Sequence, residues 1–310
     1  MISNKLNPSF KYTWILVENL PTKVSPHLGL DGVGFTVVPG IERKNHKFSV
    51  CYHAAGGFME GLKHVQTRFL LILDPDLFVV RENWMAGALA YMKRKNLAFF
   101  GAPWYPALYH KWRYFPCPQF MLIDLDRVDR ANLDFMPRYE LKYDITVADS
   151  PKPSAGRKSF LDQLKENTRV LLRRGVVINT SLDSGWQIYQ KYKDRPAFYE
   201  CVQPVLKLKE KPLRPRWLNS SLNRWLEYAL PDKWCYLPRA DYFSDQGFKE
   251  LGYFDAHHYG WDETIFDGKP FSFHMRGMLP GTKSKDHRAE LLPLRRALDS
   301  FLNQRIPFSS

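Results

Sequence analysis

An α/β fold with a mainly parallel sheet and flanking helices is the class this sequence predicts. Three observations carry the expectation. Over the first 125 residues, short apolar runs alternate with segments of helical period. One run, Phe69-Leu70-Leu71-Ile72-Leu73, is apolar without a break, as suits a strand covered on both faces of a parallel sheet. Polar, Gly or Pro residues then close the runs, which stops each strand at a defined end.

Taken in order, Trp14-Ile15-Leu16-Val17 reads as a buried strand that ends in Glu18-Asn19, with Pro21 as the stop. Phe35-Thr36-Val37-Val38 is a second strand, closed by Pro39-Gly40. From Ser49 to Val65, Cys51, Ala55, Phe58, Leu62 and Val65 recur at helical spacing. Gly56, Gly57 and Gly61 weaken that helix by about 1 kcal/mol each relative to Ala. They allow close approach, either to a ligand or to a strand. After the central strand, 82–95 reads as a helix with Trp84, Ala88, Leu89 and Met92 on one side. Leu97-Ala98-Phe99-Phe100 and Gln119 to Asp124 read as further strands. Beyond the Pro/Ser/Gly loop at 149–156, amphipathic helices are expected over roughly 159–174 and 286–305, the second carrying Leu291, Leu294, Leu298, Phe301 and Leu302.

Lys and Arg number 45 against 32 for Asp and Glu, a net charge of +13. Such a surplus favours anionic partners, whether nucleic acid, phosphorylated small molecules or an acidic membrane face. With 45% apolar residues the chain is not a disordered one. Trp14-Ile15-Leu16-Val17 is too short for the core of a signal peptide. Cys51, Cys117, Cys201 and Cys235 match no zinc spacing and read as reduced thiols of a cytoplasmic protein. The sequons at Asn179 and Asn219 are read as chance.

The sharpest chemical feature is Asp74-Pro75-Asp76. It lies where the apolar strand reaches its carboxyl end, the edge at which open α/β sheets bind ligands. Two carboxylates so close repel unless a cation or donors neutralise them. Mn²⁺ or Mg²⁺ suits such a pair, taking carboxylates together with phosphate oxygens. A turn around Pro75 or a helix cap is the plain structural alternative. Asp183, after Asn179-Thr180-Ser181-Leu182, reads either as a helix cap or as a general base. His53, Trp104, Trp112 and Tyr114 suit either core packing or contact with sugar rings.

Glu18-Asn19, the run His53 to Leu62 with its glycines, and Leu71-Ile72-Leu73-Asp74-Pro75-Asp76 together resemble a nucleotide-sugar-dependent glycosyltransferase of the GT-A type, family 2-like. Cys117 to Ile123 resembles the acceptor-side strand, Asp183-Ser184-Gly185-Trp186 the acidic helix start, and Phe273-His274-Met275-Arg276-Gly277 the late histidine segment. The resemblance spans roughly 12–280. It implies a GT-A-like, Rossmann-like catalytic domain over 1–280, with a nucleotide-sugar half at 12–125 and an acceptor half at 126–280. Residues 281–310 are then a C-terminal amphipathic helix.

The implied activity is metal-dependent transfer of a sugar, with inversion, from a nucleoside diphosphate sugar to a hydroxyl acceptor in bacterial surface-glycan assembly. Asp74, Asp76 and His274 would hold the metal. Glu18, Asn19, Asp74 and Arg276 would hold the nucleotide, and Asp183 would be the base. Asp262-Glu263 is a second acidic pair that could serve instead. The family's additional first strand has no counterpart before Tyr12.

Residues 205–225 hold six basic residues and one acid, with Trp217 and Trp225 among them. That composition suits peripheral contact with an anionic membrane or with the phosphate of a lipid-linked acceptor; a solvated loop is the alternative. A basic, non-catalytic nucleic-acid-binding protein would explain the charge, but no nucleic-acid module is recognisable. An inactive glycosyltransferase-like scaffold is the other alternative.

Overall fold

A computed structural model describes residues 5–18, 35–40, 50–103, 115–137, 184–205, 247–275 and 287–308. Strand β1 (Trp14–Glu18) pairs in parallel with β2 (Phe35–Pro39), in register from Trp14 opposite Phe35. Helix α1 (Val50–Lys63) packs on β1. A Cβ on Gly61 would lie 3.2 Å from Val17 Cγ2, so this glycine lets the helix approach a strand.

The described residues form two four-stranded sheets. The first has the order β3 (Phe69–Leu73), β7 (Pro116–Asp124), β6 (Phe99–Pro103), β8 (Tyr199–Cys201). The second runs β4 (Leu77–Val79), β11 (Lys269–His274), β10 (Asp262–Phe266), β9 (Gln203–Pro204). The α/β class is as expected, but the mainly parallel sheet is not. Strand β7 is antiparallel to both β3 and β6, and only β6–β8 is parallel in that sheet. The second sheet is antiparallel throughout. Continuous apolar runs report cover on both faces and carry no information on neighbour direction. In β7 that cover is complete, all nine residues being buried.

Helix α2 (Trp84–Lys95) buries Trp84, Met85, Ala88 and Met92. Its amino end is capped from a distance: the side-chain oxygen of Asn7 accepts the Met85 N–H at 2.9 Å. At its carboxyl end Asn96, at φ 57°, donates its N–H to the Met92 and Lys93 carbonyls, while Lys93, Arg94 and Lys95 lie against the negative end of the helix dipole. Helix α3 (Trp186–Tyr192) adds Ile188 and Tyr192 to the core over β6 and β7.

Helix α4 (His287–Gln304) is integrated into the fold. Ala297 and Phe301 are buried with Val80, Phe248 and Phe273. Beyond it, β12 (Ile306–Pro307) pairs with β5 (Arg81–Glu82). Of the apolar positions expected on this helix, Leu291 is exposed. Cys117 and Cys201 are buried. No helix among the described residues is long and apolar enough to cross a membrane. The expected helix at 159–174, nearly all of the basic segment 205–225, Trp104, Trp112, Tyr114 and both sequons lie outside the described residues.

Candidate metal centre

Asp74-Pro75-Asp76 is the link between the two sheets, since β3 belongs to the first and β4 to the second. Backbone forces set its shape. Asp74 extends the β3–β7 ladder by one bond, its N–H reaching the Gln119 carbonyl at 2.9 Å. Its own carbonyl accepts the Leu77 N–H at 3.1 Å, closing a four-residue turn with Pro75 in second place, where the fixed φ of proline is favoured. The Asp76 carbonyl then accepts the Met275 N–H at 3.0 Å, which carries the β4–β11 pairing past its last rung.

That pairing delivers the third group. His274 sits opposite Leu77 in the register. Its Nε2 lies 2.9 Å from Asp76 Oδ1 and 3.8 Å from Asp74 Oδ2. Its Nδ1 lies 3.0 Å from Gln119 Oε1. Gln119 in turn donates from Nε2 to the Pro103 carbonyl at 3.2 Å. The histidine side chain is 10% exposed, whereas Asp74 and Asp76 are 36% and 40% exposed. The imidazole is therefore held in the protein, and the carboxylates open toward solvent.

These donors could hold a divalent cation. Their ligand atoms all lie within 4.8 Å of one another. Around an octahedral ion at roughly 2.1 Å, cis donors are about 3 Å apart and trans donors about 4 Å. One imidazole nitrogen with two carboxylate oxygens is a donor set that Mn²⁺ accepts more readily than Mg²⁺, which prefers oxygen alone. Three protein donors also leave coordination positions for phosphate oxygens or water.

The other expected site residues divide. Asp262 stands opposite His274 in the β10–β11 register, so the two side chains share one face of the sheet; Asp262 is 6% exposed. Glu263 points to the other face, opposite Phe273. It is fully buried, and its two oxygens accept the N–H groups of Phe248 and His257 at 3.0 Å each. Gly247, at φ 55°, clears the way for it: a Cβ there would lie 2.0 Å from Glu263 Oε2. Glu263 thus ties two 3-10 turns, Gly247–Lys249 and Ala256–Tyr259, to β10. Glu18 ends β1 in the separate β1–β2 pair, where its carbonyl accepts the Gly40 N–H at 2.8 Å. Asn19, Asp183 and Arg276 lie outside the described residues.

Sequence reasoning missed Gln119 as a site residue. Its only signal was a polar residue inside the apolar run from Phe115 to Ile123. Comparison of the chain with protein-family models, with curated proteins and with solved structures finds no match.

Proposed function

We propose that the chain is a metal-dependent glycosyltransferase with a GT-A-like catalytic fold, moving a sugar from a nucleoside diphosphate sugar to a hydroxyl acceptor. The observation that carries this reading is the convergence of Asp74, Asp76 and His274 at the carboxyl end of β3. A cluster of two half-exposed carboxylates and one buried imidazole is suited to hold a cation against a diphosphate. Bound there, a divalent ion supplies the positive charge that stabilises the departing diphosphate.

The protein's own part is to orient donor and acceptor and to take one proton. The acceptor oxygen bonds to the anomeric carbon as that carbon's bond to the diphosphate oxygen breaks. The bonding pair leaves with the diphosphate, and the hydroxyl proton passes to a carboxylate. Asp183 is assigned that role from the sequence resemblance, with Asp262 as its competitor because Asp262 shares a sheet face with His274. Displacement from the opposite side inverts the anomeric centre. Glu18, Asn19 and Arg276 are assigned to the nucleotide on the same resemblance.

The acceptor is proposed to be a glycan or a lipid-linked sugar of bacterial surface-glycan assembly. The protein would work in the cytoplasm, and its basic segment at 205–225 would meet the anionic inner face of the membrane. The test is a thermal-shift screen of nucleoside diphosphates and nucleotide sugars with Mn²⁺. Stabilisation that needs both metal and nucleotide is expected, and Asp76→Asn should remove it. Stabilisation by oligonucleotide instead would replace the transferase with the nucleic-acid-binding alternative.

A further inference from the structure

We infer that Gln119 is the positioning residue of the Asp74-Asp76-His274 centre: it fixes the His274 ring as the Nδ1–H tautomer and so aims the Nε2 lone pair at the carboxylates. The inference rests on the metal reading of the cluster and is independent of sugar transfer.

The argument follows the hydrogen-bond polarity. A backbone carbonyl can only accept, so the Gln119 group 3.2 Å from the Pro103 oxygen is the NH₂. Rotating the amide by half a turn would set oxygen against oxygen there. The Gln119 oxygen therefore faces His274 Nδ1 at 3.0 Å and can only accept, so Nδ1 carries the hydrogen. In a neutral imidazole the other nitrogen is then a bare acceptor. That nitrogen is 2.9 Å from Asp76 Oδ1 and 3.8 Å from Asp74 Oδ2. A lone pair facing a carboxylate at that distance repels it, unless a cation or a proton stands between them.

Gln119 is 7% exposed, and strands on both sides hold it. Its main-chain carbonyl also accepts the Asp74 N–H at 2.9 Å. One residue of β7 thus sets the ring of one ligand and the backbone of another. Outer groups that fix a ligating imidazole in this way typically change metal affinity 10–100-fold when removed.

The test uses the full chain and two variants. Gln119→Leu keeps the volume and removes the acceptor. Gln119→Glu keeps an oxygen toward Nδ1. Long-range ¹H–¹⁵N spectra of the imidazoles are recorded at about pH 9, above the usual imidazole range, with and without Zn²⁺ as a diamagnetic probe. His274→Ala identifies the signal. Mn²⁺ affinity is measured in parallel by calorimetry.

The expected result is a His274 ring that carries its hydrogen on Nδ1 in the Zn²⁺-loaded wild type, with Zn²⁺ bound through Nε2. Gln119→Leu should show mixed tautomers and bind Mn²⁺ about 10–100-fold more weakly, and Gln119→Glu should restore the single tautomer. Zn²⁺ bound through Nδ1 in the wild type, leaving an Nε2–H ring, would overturn the inference. Wild-type tautomer and affinity in Gln119→Leu would also overturn it. Failure of every form to bind Mn²⁺ or Zn²⁺ would instead sink the metal reading.

Discussion

His274 Nε2 and Asp76 Oδ1 meet at 2.9 Å although 198 positions separate them in the chain. Asp76 arrives through the turn that leaves the first sheet, and His274 through the last strand of the second. The contact exists only because β4 pairs with β11, and the same pairing holds the Asp76 carbonyl to the Met275 N–H. The candidate centre is therefore a property of the seam between two sheets.

If Asp76 and His274 share one cation, their substitutions are not additive. Asp76→Asn and His274→Ala should each weaken Mn²⁺ binding more than 10-fold, and the double variant should lose little beyond the worse single one. Calorimetric titration of the four proteins checks this. Losses that simply add would mean that the two residues do not hold the same ion.

Asp262 and Glu263 are neighbours with opposite assignments. Glu263→Gln places an NH₂ group against a buried N–H and should lower stability by about 2–3 kcal/mol, with donor binding intact below the melting temperature. Asp183→Asn, or Asp262→Asn if the base is there, should bind donor and lose transfer by about 10²–10⁴-fold. A Glu263→Gln protein with the wild-type melting temperature and lost transfer would return Glu263 to the candidates for the base.

Arg81 should not tolerate lysine. The guanidinium is fully buried, donates from Nε and Nη2 to the Pro307 carbonyl and from Nη1 to that of Phe266, and lies against the Phe308 ring. Burial lowers its pKa. Lysine cannot span both carbonyls, so Arg81→Lys should cost about 2–3 kcal/mol. Removing residues 306–310 should cost at least as much, because it strips the Pro307 carbonyl, which accepts two of the bonds, from a buried charge. Urea denaturation of both variants is the measurement, and wild-type stability in either would refute the clamp.

Alkaline stability should carry the mark of Tyr199. Burial pushes its phenol up to about 12, against about 10 in an unfolded chain. Between those values the folded state holds more protons, so stability falls as pH rises; below about pH 10 the contribution is fully present. The loss is about 2–3 kcal/mol by pH 12. Tyr199→Phe should flatten that part of the profile, while losing roughly 1 kcal/mol at neutral pH with the bond to the Lys193 carbonyl, 2.9 Å in the wild type. An unchanged alkaline slope would show that another group is responsible.

What the sequence determined alone is local. The run Phe69–Leu73 is a strand, Pro75 turns the chain after it, and Val50–Lys63 and Trp84–Lys95 are helices, because each depends on the period and chemistry of adjacent residues. The two aspartates could be singled out for the same reason. The tertiary structure decided which strands are antiparallel, since an apolar strand covered on both faces is the same in either direction. It also brought His274, which the family resemblance had named, and Gln119, which nothing in the sequence had named as a site residue, to the aspartate cluster, and it decided that Asn7 caps α2 and that Arg81 grips the carboxyl segment. Those contacts join positions 155 to 226 residues apart, or 78 for Asn7. They leave no periodicity to read, because hydrogen-bond polarity and strand pairing select the partners only after the sheets have formed.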